Sequence, residues 1–234
     1  MLNMRLLLKL GGIAATSRST RVFYDRISPF YELLFTDHLS HIRTMVAVMG
    51  EEFPHGIKVL DIACGTGALS RRLEERGFCV TGVDFSFQSL RRLKQATNSI
   101  RVIQADAATL PFGSASFDVV TCMGAWRHFP VPEVVLHEIC RVLRRDGIFF
   151  VGYFPPKLGG LLSVPRGPLG EAIVFFYGCV MRLLKYNDRT DPEMESQTLQ
   201  MIELAFTKYR RIQSGKEAEY LIVADSPRLG LELR

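Results

Sequence analysis

What this chain lacks narrows it first. Its five cysteines (Cys64, Cys79, Cys122, Cys140, Cys179) are widely spaced, with no Cys-x-x-Cys pair. That argues for buried thiols in a reducing compartment over a disulfide framework or a thiolate metal site. His38, His41, His55 and His137 show no ligand spacing, and no metal is expected. No apolar run is long enough to span a bilayer: the first is broken by Lys9, and Ala172–Met181 is too short. Acids are missing ahead of Asp25, whereas Arg5, Lys9, Arg18 and Arg21 are present. Three readings of residues 1–24 stand side by side: an organellar transit peptide, a basic helix lying on an anionic membrane surface, or an ordinary extension. The net charge of +5 is modest, and the arginine pairs at 71–72, 91–92, 144–145 and 210–211 read most simply as solvated surface. A nucleic-acid footprint would need them on one face.

What is present concentrates in Val59–Ser70, Val-Leu-Asp-Ile-Ala-Cys-Gly-Thr-Gly-Ala-Leu-Ser. An apolar run ending in Asp61, a turn with Gly65 and Gly67, and a helical pattern make a strand–turn–helix unit. Such a unit opens a sheet that binds a nucleotide-like ligand at the carboxyl ends of its strands. Two features are missing here as well. Ser70 occupies the place of the third glycine of a dinucleotide fingerprint, and no P-loop lysine follows. A carboxylate at Asp61 does not suit a ligand bearing phosphates.

The rest of the core repeats the pattern. Cys79–Asp84 is a second strand ending in an acid, placed to accept hydrogen bonds from ribose hydroxyls. Ser86 caps a helix running to Ala96, with Leu90 and Leu93 inward. Ile100–Gln104 is a third strand, followed by a loop with Asp106 and Ala107; Phe117–Met123 is a fourth, Pro132–Arg144 a helix, and Gly147–Tyr153 a fifth strand. Glu195–Leu204 reads as the last helix, with Phe206–Ile212 and Glu217–Ala224 as a terminal hairpin. Each acid alone could be a cap or turn residue. Asp61, Asp84 and Asp106 at the ends of three successive strands point together to a ligand site.

The Asp-Ile-Ala-Cys-Gly-Thr-Gly turn resembles the signature of class I S-adenosylmethionine-dependent methyltransferases. Residues 23–36, with Tyr24, Pro29 and Tyr31, resemble the segment preceding the core in the ubiquinone/menaquinone C-methyltransferase group and its relatives, which include bacterial phospholipid N-methyltransferases. The likeness covers roughly residues 55–153 well and the C-terminal part more loosely. Two departures stand out: the acid after Tyr31 is Glu32, and the usual glycine before the sixth strand is absent (Leu204-Ala205-Phe206).

The resemblance implies an α/β Rossmann-like fold: a seven-stranded sheet, mostly parallel with an antiparallel last strand, and helices on both faces. Residues 1–54 would form a helical extension, and 55–234 the core with an apolar insertion at about 156–190. Residues 157–184 are expected to form a helical lid. S-adenosyl-L-methionine is the implied cofactor, held by Tyr31, Asp61, Ala63, Gly65, Gly67, Asp84, Phe85, Asp106, Ala107 and Met123. Asp106 would accept a hydrogen bond from the adenine amine, and Tyr24 and Tyr31 would help close the pocket. His128 is the candidate base and Arg127 the candidate clamp for an acidic or phenolate acceptor.

The expected reaction is methyl transfer to a small lipophilic acceptor such as a quinone, isoprenoid, other lipid or natural product. The alternatives are phospholipid N-methylation and a non-catalytic donor-binding scaffold. Base N-methylation of nucleic acid is disfavoured, because Cys-Met-Gly-Ala-Trp stands where an Asn/Asp-Pro-Pro-aromatic loop would be needed. The protein is expected to be cytoplasmic with peripheral membrane contact, organellar targeting by residues 1–24 being left open. Nothing in the sequence specifies an oligomeric state.

Overall fold

The computed structural model describes residues 9, 12–13, 19–30, 38–153, 192–214 and 220–228. Tyr31, the proposed lid 157–184 and most of residues 1–18 lie outside the described residues. In chain order the elements are α1 (Thr20–Ile27), a 3-10 turn (Ser28–Phe30), α2 (His38–Glu52), β1 (Lys58–Ile62), α3 (Ala68–Glu75), β2 (Cys79–Asp84), α4 (Phe87–Ala96) and β3 (Arg101–Gln104). They continue with β4 (Phe117–Met123), a 3-10 turn (Trp126–His128), α5 (Pro132–Val142), β5 (Leu143–Tyr153), α6 (Pro192–Ala205), β6 (Phe206–Gln213) and β7 (Tyr220–Pro227).

The strands form one seven-stranded sheet in the order β3-β2-β1-β4-β5-β7-β6. β1 to β5 pair in parallel, and β7 runs antiparallel to both β5 and β6. β1 reads Lys-Val-Leu-Asp-Ile and buries all but its first residue. A central parallel strand must do so, because helices cover both of its faces. Val59, Leu69, Leu73, Leu93 and Phe150 pack with Met45 and Met49 of α2 on one side. Leu60, Ile62, Phe149 and Trp126 pack with Leu136, Ile139 and Ile202 on the other. The order reverses between β1 and β4, and a cleft opens there at the carboxyl ends of the strands.

Several boundaries differ from expectation by one to a few residues, and two of them have tertiary reasons. α5 ends at Val142, not Arg144, and β5 begins at Leu143, not Gly147. Leu143 has an extended ψ of 144°, is buried, and pairs with Phe117, while the amides of Ala115 and Ser116 bond the carbonyls of Arg141 and Val142. β7 runs from Tyr220 to Pro227, with residues 217–219 outside the described residues. Its register is fixed from both sides, Ile148 facing Asp225 on β5 and Gln213 facing Tyr220 on β6. The N-terminal helices dock on this core. α2 is tied to the end of β6 by a buried 2.5 Å contact between His41 Nδ1 and Ser214 Oγ, where burial pulls the imidazole pKa down to about 4.

Candidate functional site

The turn after β1 gives each glycine a different task. Gly65 takes φ +55°, and a Cβ there would meet nothing within 4 Å, so the backbone is open to an approaching ligand. Gly67 takes φ +83°, and a Cβ would come within 2.2 Å of Leu93 Cδ1. Its role is to start α3 while α4 packs against it. Ala63 also sits at a positive φ of 53°, which costs a non-glycine residue about 1–3 kcal/mol.

The three acids are likewise unequal. Asp84 Oδ2 accepts from Gly65 N at 2.9 Å and Oδ1 from Ser86 N at 2.8 Å. These bonds hold the carboxylate against the glycine turn, and each oxygen keeps lone pairs for a ligand. Burial raises the Asp84 pKa, the amide bonds from Ser86 and Gly65 oppose it, and the nearby Asp25 charge adds to the rise. Asp106 Oδ1 accepts from Ala108 N at 2.9 Å, so it is a turn residue as well as a cavity residue. Asp61 is buried beneath the turn, where Ser70 Oγ donates to Oδ2 at 2.5 Å and Thr121 Oγ1 to Oδ1 at 2.9 Å. Burial pushes its pKa up to about 6 against those hydroxyl bonds. Ser70, which on the sequence only marked a missing glycine, is the partner of this buried acid.

The cavity at the reversal point is lined by Tyr24, Ala63, Gly65, Asp84, Phe85, Asp106 and Ala107 on one side. Met123, Gly124, Ala125, His128, Phe129 and Pro130 line the other. Most expected site residues therefore meet in one place. Asp61 and Gly67 support the turn and are not in the cavity wall, and Tyr31 lies outside the described residues. His128 is in the wall, whereas its neighbour Arg127 is not among the described lining residues. Val83, Ser89 and Ala105 complete the lining and were not anticipated; Ser89 follows the Ser86 cap by one helical turn, a spacing that signals a shared face.

Three sets of contacts fix the walls. Gln104 Nε2 donates to Phe85 O at 2.9 Å, which holds the ring-bearing residue after Asp84. The loop after Asp106 is clamped by α5: Glu138 accepts from Leu110 N at 2.7 Å, and Arg141 donates to the carbonyls of Phe112 and Leu110. The 3-10 turn carrying His128 is anchored through Trp126, whose Nε1 donates to buried Thr198 Oγ1 on α6 at 3.1 Å. The Trp126 ring also packs edge-on against Phe129 at 5.8 Å. Among the described residues no cluster of side chains could hold a metal ion.

A family model described as a methyltransferase domain matches residues 60–151. The chain is 34% identical over 172 residues to the demethylmenaquinone methyltransferase of Thermus thermophilus, covering 69% of this chain and 74% of that protein. The chain belongs to the class I S-adenosylmethionine-dependent methyltransferases.

As a methyltransferase it uses S-adenosylmethionine, and the cavity fits that donor: an acid held by two amides, an open glycine turn and an aromatic neighbour at Phe85. The ubiquinone biosynthesis O-methyltransferase of Idiomarina loihiensis is 41% identical over 101 residues, 41% of this chain and 42% of that protein. Beyond the Thermus protein, the chain spans about half the length, or less, of the curated relatives it matches. Among solved structures, the PH0226 protein of Pyrococcus horikoshii superposes with a TM-score of 0.63 at 25% identity, over 88% of this chain and 98% of that one.

Proposed function

We propose that this methyltransferase transfers its methyl group to a small lipophilic acceptor, a quinone-type ring being the best fit. The observation that carries this reading is the wall formed by Met123, Ala125, Phe129 and Pro130, which is apolar apart from His128. Its relatives, a demethylmenaquinone methyltransferase and a ubiquinone biosynthesis O-methyltransferase, support the same acceptor class.

In this reading Asp84 accepts from the donor's ribose hydroxyls, and Gly65 and Ala63 leave room for its amino-acid part. Phe85, Asp106 and Ala107 face its adenine, and Met123 stands near the join between the two halves. Tyr31 and Tyr24 would help close the site. S-adenosylmethionine supplies a sulfonium methyl that is already activated and leaves as a thioether. The chain therefore has to orient the acceptor in line, worth about 7–11 kcal/mol. His128 takes the proton that a phenol or enol acceptor must lose as its new bond to carbon forms. Arg127 would serve an anionic acceptor only after a change of its position toward the cavity.

The acceptor would be met at a membrane surface, through the basic residues of 1–24 at about 1 kcal/mol each and through the apolar insertion at about 156–190. Among the described residues no helix is long and apolar enough to cross a membrane. The test is mass spectrometry of lipid extracts after incubation with donor carrying an isotopically labelled methyl. Label in a lipid-soluble quinone-type product is expected, and label confined to polar metabolites overturns the acceptor assignment. Flotation with anionic liposomes at low salt checks the membrane part: full-length protein should float, and deletion of residues 1–20 should weaken it. Full-length protein left wholly in the soluble fraction contradicts it.

A further inference from the structure

We propose that Asp25 is a positioning residue of the donor site: it latches α1 onto the first turn of α4 and so holds Tyr24 against Phe85 in the cavity wall. This rests on the reading of that cavity as the donor site. Ser86 Oγ donates to Asp25 Oδ1 at 2.7 Å, and Gln88 N donates to the same oxygen at 3.2 Å. The first turn of a helix carries amides with no partner inside the helix. α4 meets that need twice, with Ser86 accepting from Ser89 N and with a carboxylate brought in by a different helix. A negative charge is favoured at that end of a helix.

The latch falls on the stretch where the donor residues lie. Asp84, Phe85 and Ser86 are consecutive, and Asp84 itself accepts from Ser86 N. Tyr24, next to Asp25, meets the Phe85 ring at a centroid distance of 5.9 Å. One bonded group thus sets the ribose acid, the ring beside it and the tyrosine opposite. The 3-10 turn after α1 makes a second contact with α4, Arg92 Nε donating to Ser28 Oγ at 3.3 Å, while the Ser28 hydroxyl itself donates to the Asp25 carbonyl at 3.0 Å. Arg92 lines no part of the cavity and touches Asp25 only through Ser28, so its removal provides an internal control.

Asp25 also brings a cost. It faces Asp84 from α1, while Asp61 from β1 and Cys64 from the glycine turn face it from below, and burial and the Asp25 charge both raise the Asp84 pKa. Asp25→Asn keeps an oxygen at the Oδ1 position and removes the charge, so it separates the bonds from the electrostatics.

The test is calorimetric binding of S-adenosylhomocysteine, alongside thermal unfolding without ligand. Asp25→Ala should weaken binding roughly tenfold, the loss expected for hydrogen bonds to a charged group. Asp25→Asn should restore most of the affinity, and Arg92→Ala should leave it within about twofold even if it lowers the melting temperature. Equal weakening by Asp25→Ala and Arg92→Ala, in step with lost stability, would show general loosening and overturn the proposal. So would unchanged affinity in Asp25→Ala. If Asp25→Ala does not fold, Asp25→Glu decides against Asp25→Asn: it keeps the charge but moves the accepting oxygen by one methylene from Ser86 Oγ and Gln88 N, so it should bind less tightly than Asp25→Asn. Equal or tighter binding by Asp25→Glu overturns the proposal. Failure of the wild type to bind would instead strike the assignment of the cavity.

Discussion

The two sides of the cavity are held in different ways. On the donor side, backbone amides and short polar side chains converge on carboxylates: Gly65 and Ser86 on Asp84, Ser70 and Thr121 on Asp61, and Ala108 on Asp106. On the side proposed for the acceptor, the turn with His128 is packed through Trp126, which lies against Phe129 and Phe149 and donates to Thr198. Hydrogen-bonded carboxylates fix atoms to a few tenths of an ångström and suit a ligand whose polar groups do not change. A packed aromatic turn excludes water and accepts a range of apolar shapes. On the proposed reading, the chain separates what must be constant, the donor, from what sets its specificity.

That contrast predicts that the two sides fail in different observables. The largest effect should come from His128→Ala, which removes the proposed base and should lower kcat by about 10²–10⁴-fold. S-adenosylhomocysteine affinity, measured by calorimetry, should hardly move. Next comes Asp84→Ala, expected to weaken donor binding roughly 10–100-fold through lost charge-assisted bonds. If it altered kcat alone, the division between the sides would break down.

The glycine turn offers a third comparison. Gly67→Ala should cost about 1–3 kcal/mol of stability in thermal unfolding, since the new Cβ meets Leu93 as well as an unfavourable φ. Gly65→Ala should cost less stability, because the space is open, but should weaken donor binding where the methyl projects.

A fourth comparison is a pH dependence at Asp61. Its folded pKa of about 6 lies above the ordinary 3.8, so the folded state favours the protonated acid. Stability from this group is fully present below the unfolded value and is lost as pH rises through the folded one. Asp61→Asn cannot ionise, so its melting temperature relative to wild type should climb between about pH 4 and 6 and then level off. A difference independent of pH would show that Asp61 is not held as described.

Much of this was legible because it is local. The strand–turn–helix unit, the Ser86 cap and the five parallel strands follow from periodicity and end signals within a few residues. The seven-stranded sheet with β7 antiparallel matches the expected fold. The misses are tertiary. That Asp61 points beneath the turn depends on Thr121 from β4 and Ser70 from α3, which no spacing reveals. The Glu138–Arg141 clamp looks like an ordinary surface pair until α5 is packed beside the Asp106 loop. The early start of β5 and the extension of β7 past Ala224 to Pro227 were set by pairing partners, not by their own composition.

The central claim is that an apolar acceptor side is joined to a polar donor side at His128. It is tested most directly by initial rates of methyl transfer to a series of reduced quinones that share one ring and differ in the length of their apolar tail. The account predicts that kcat/KM rises as the tail lengthens, the gain appearing mainly in KM. A tail-independent kcat/KM, or transfer only to polar acceptors outside the series, would contradict it.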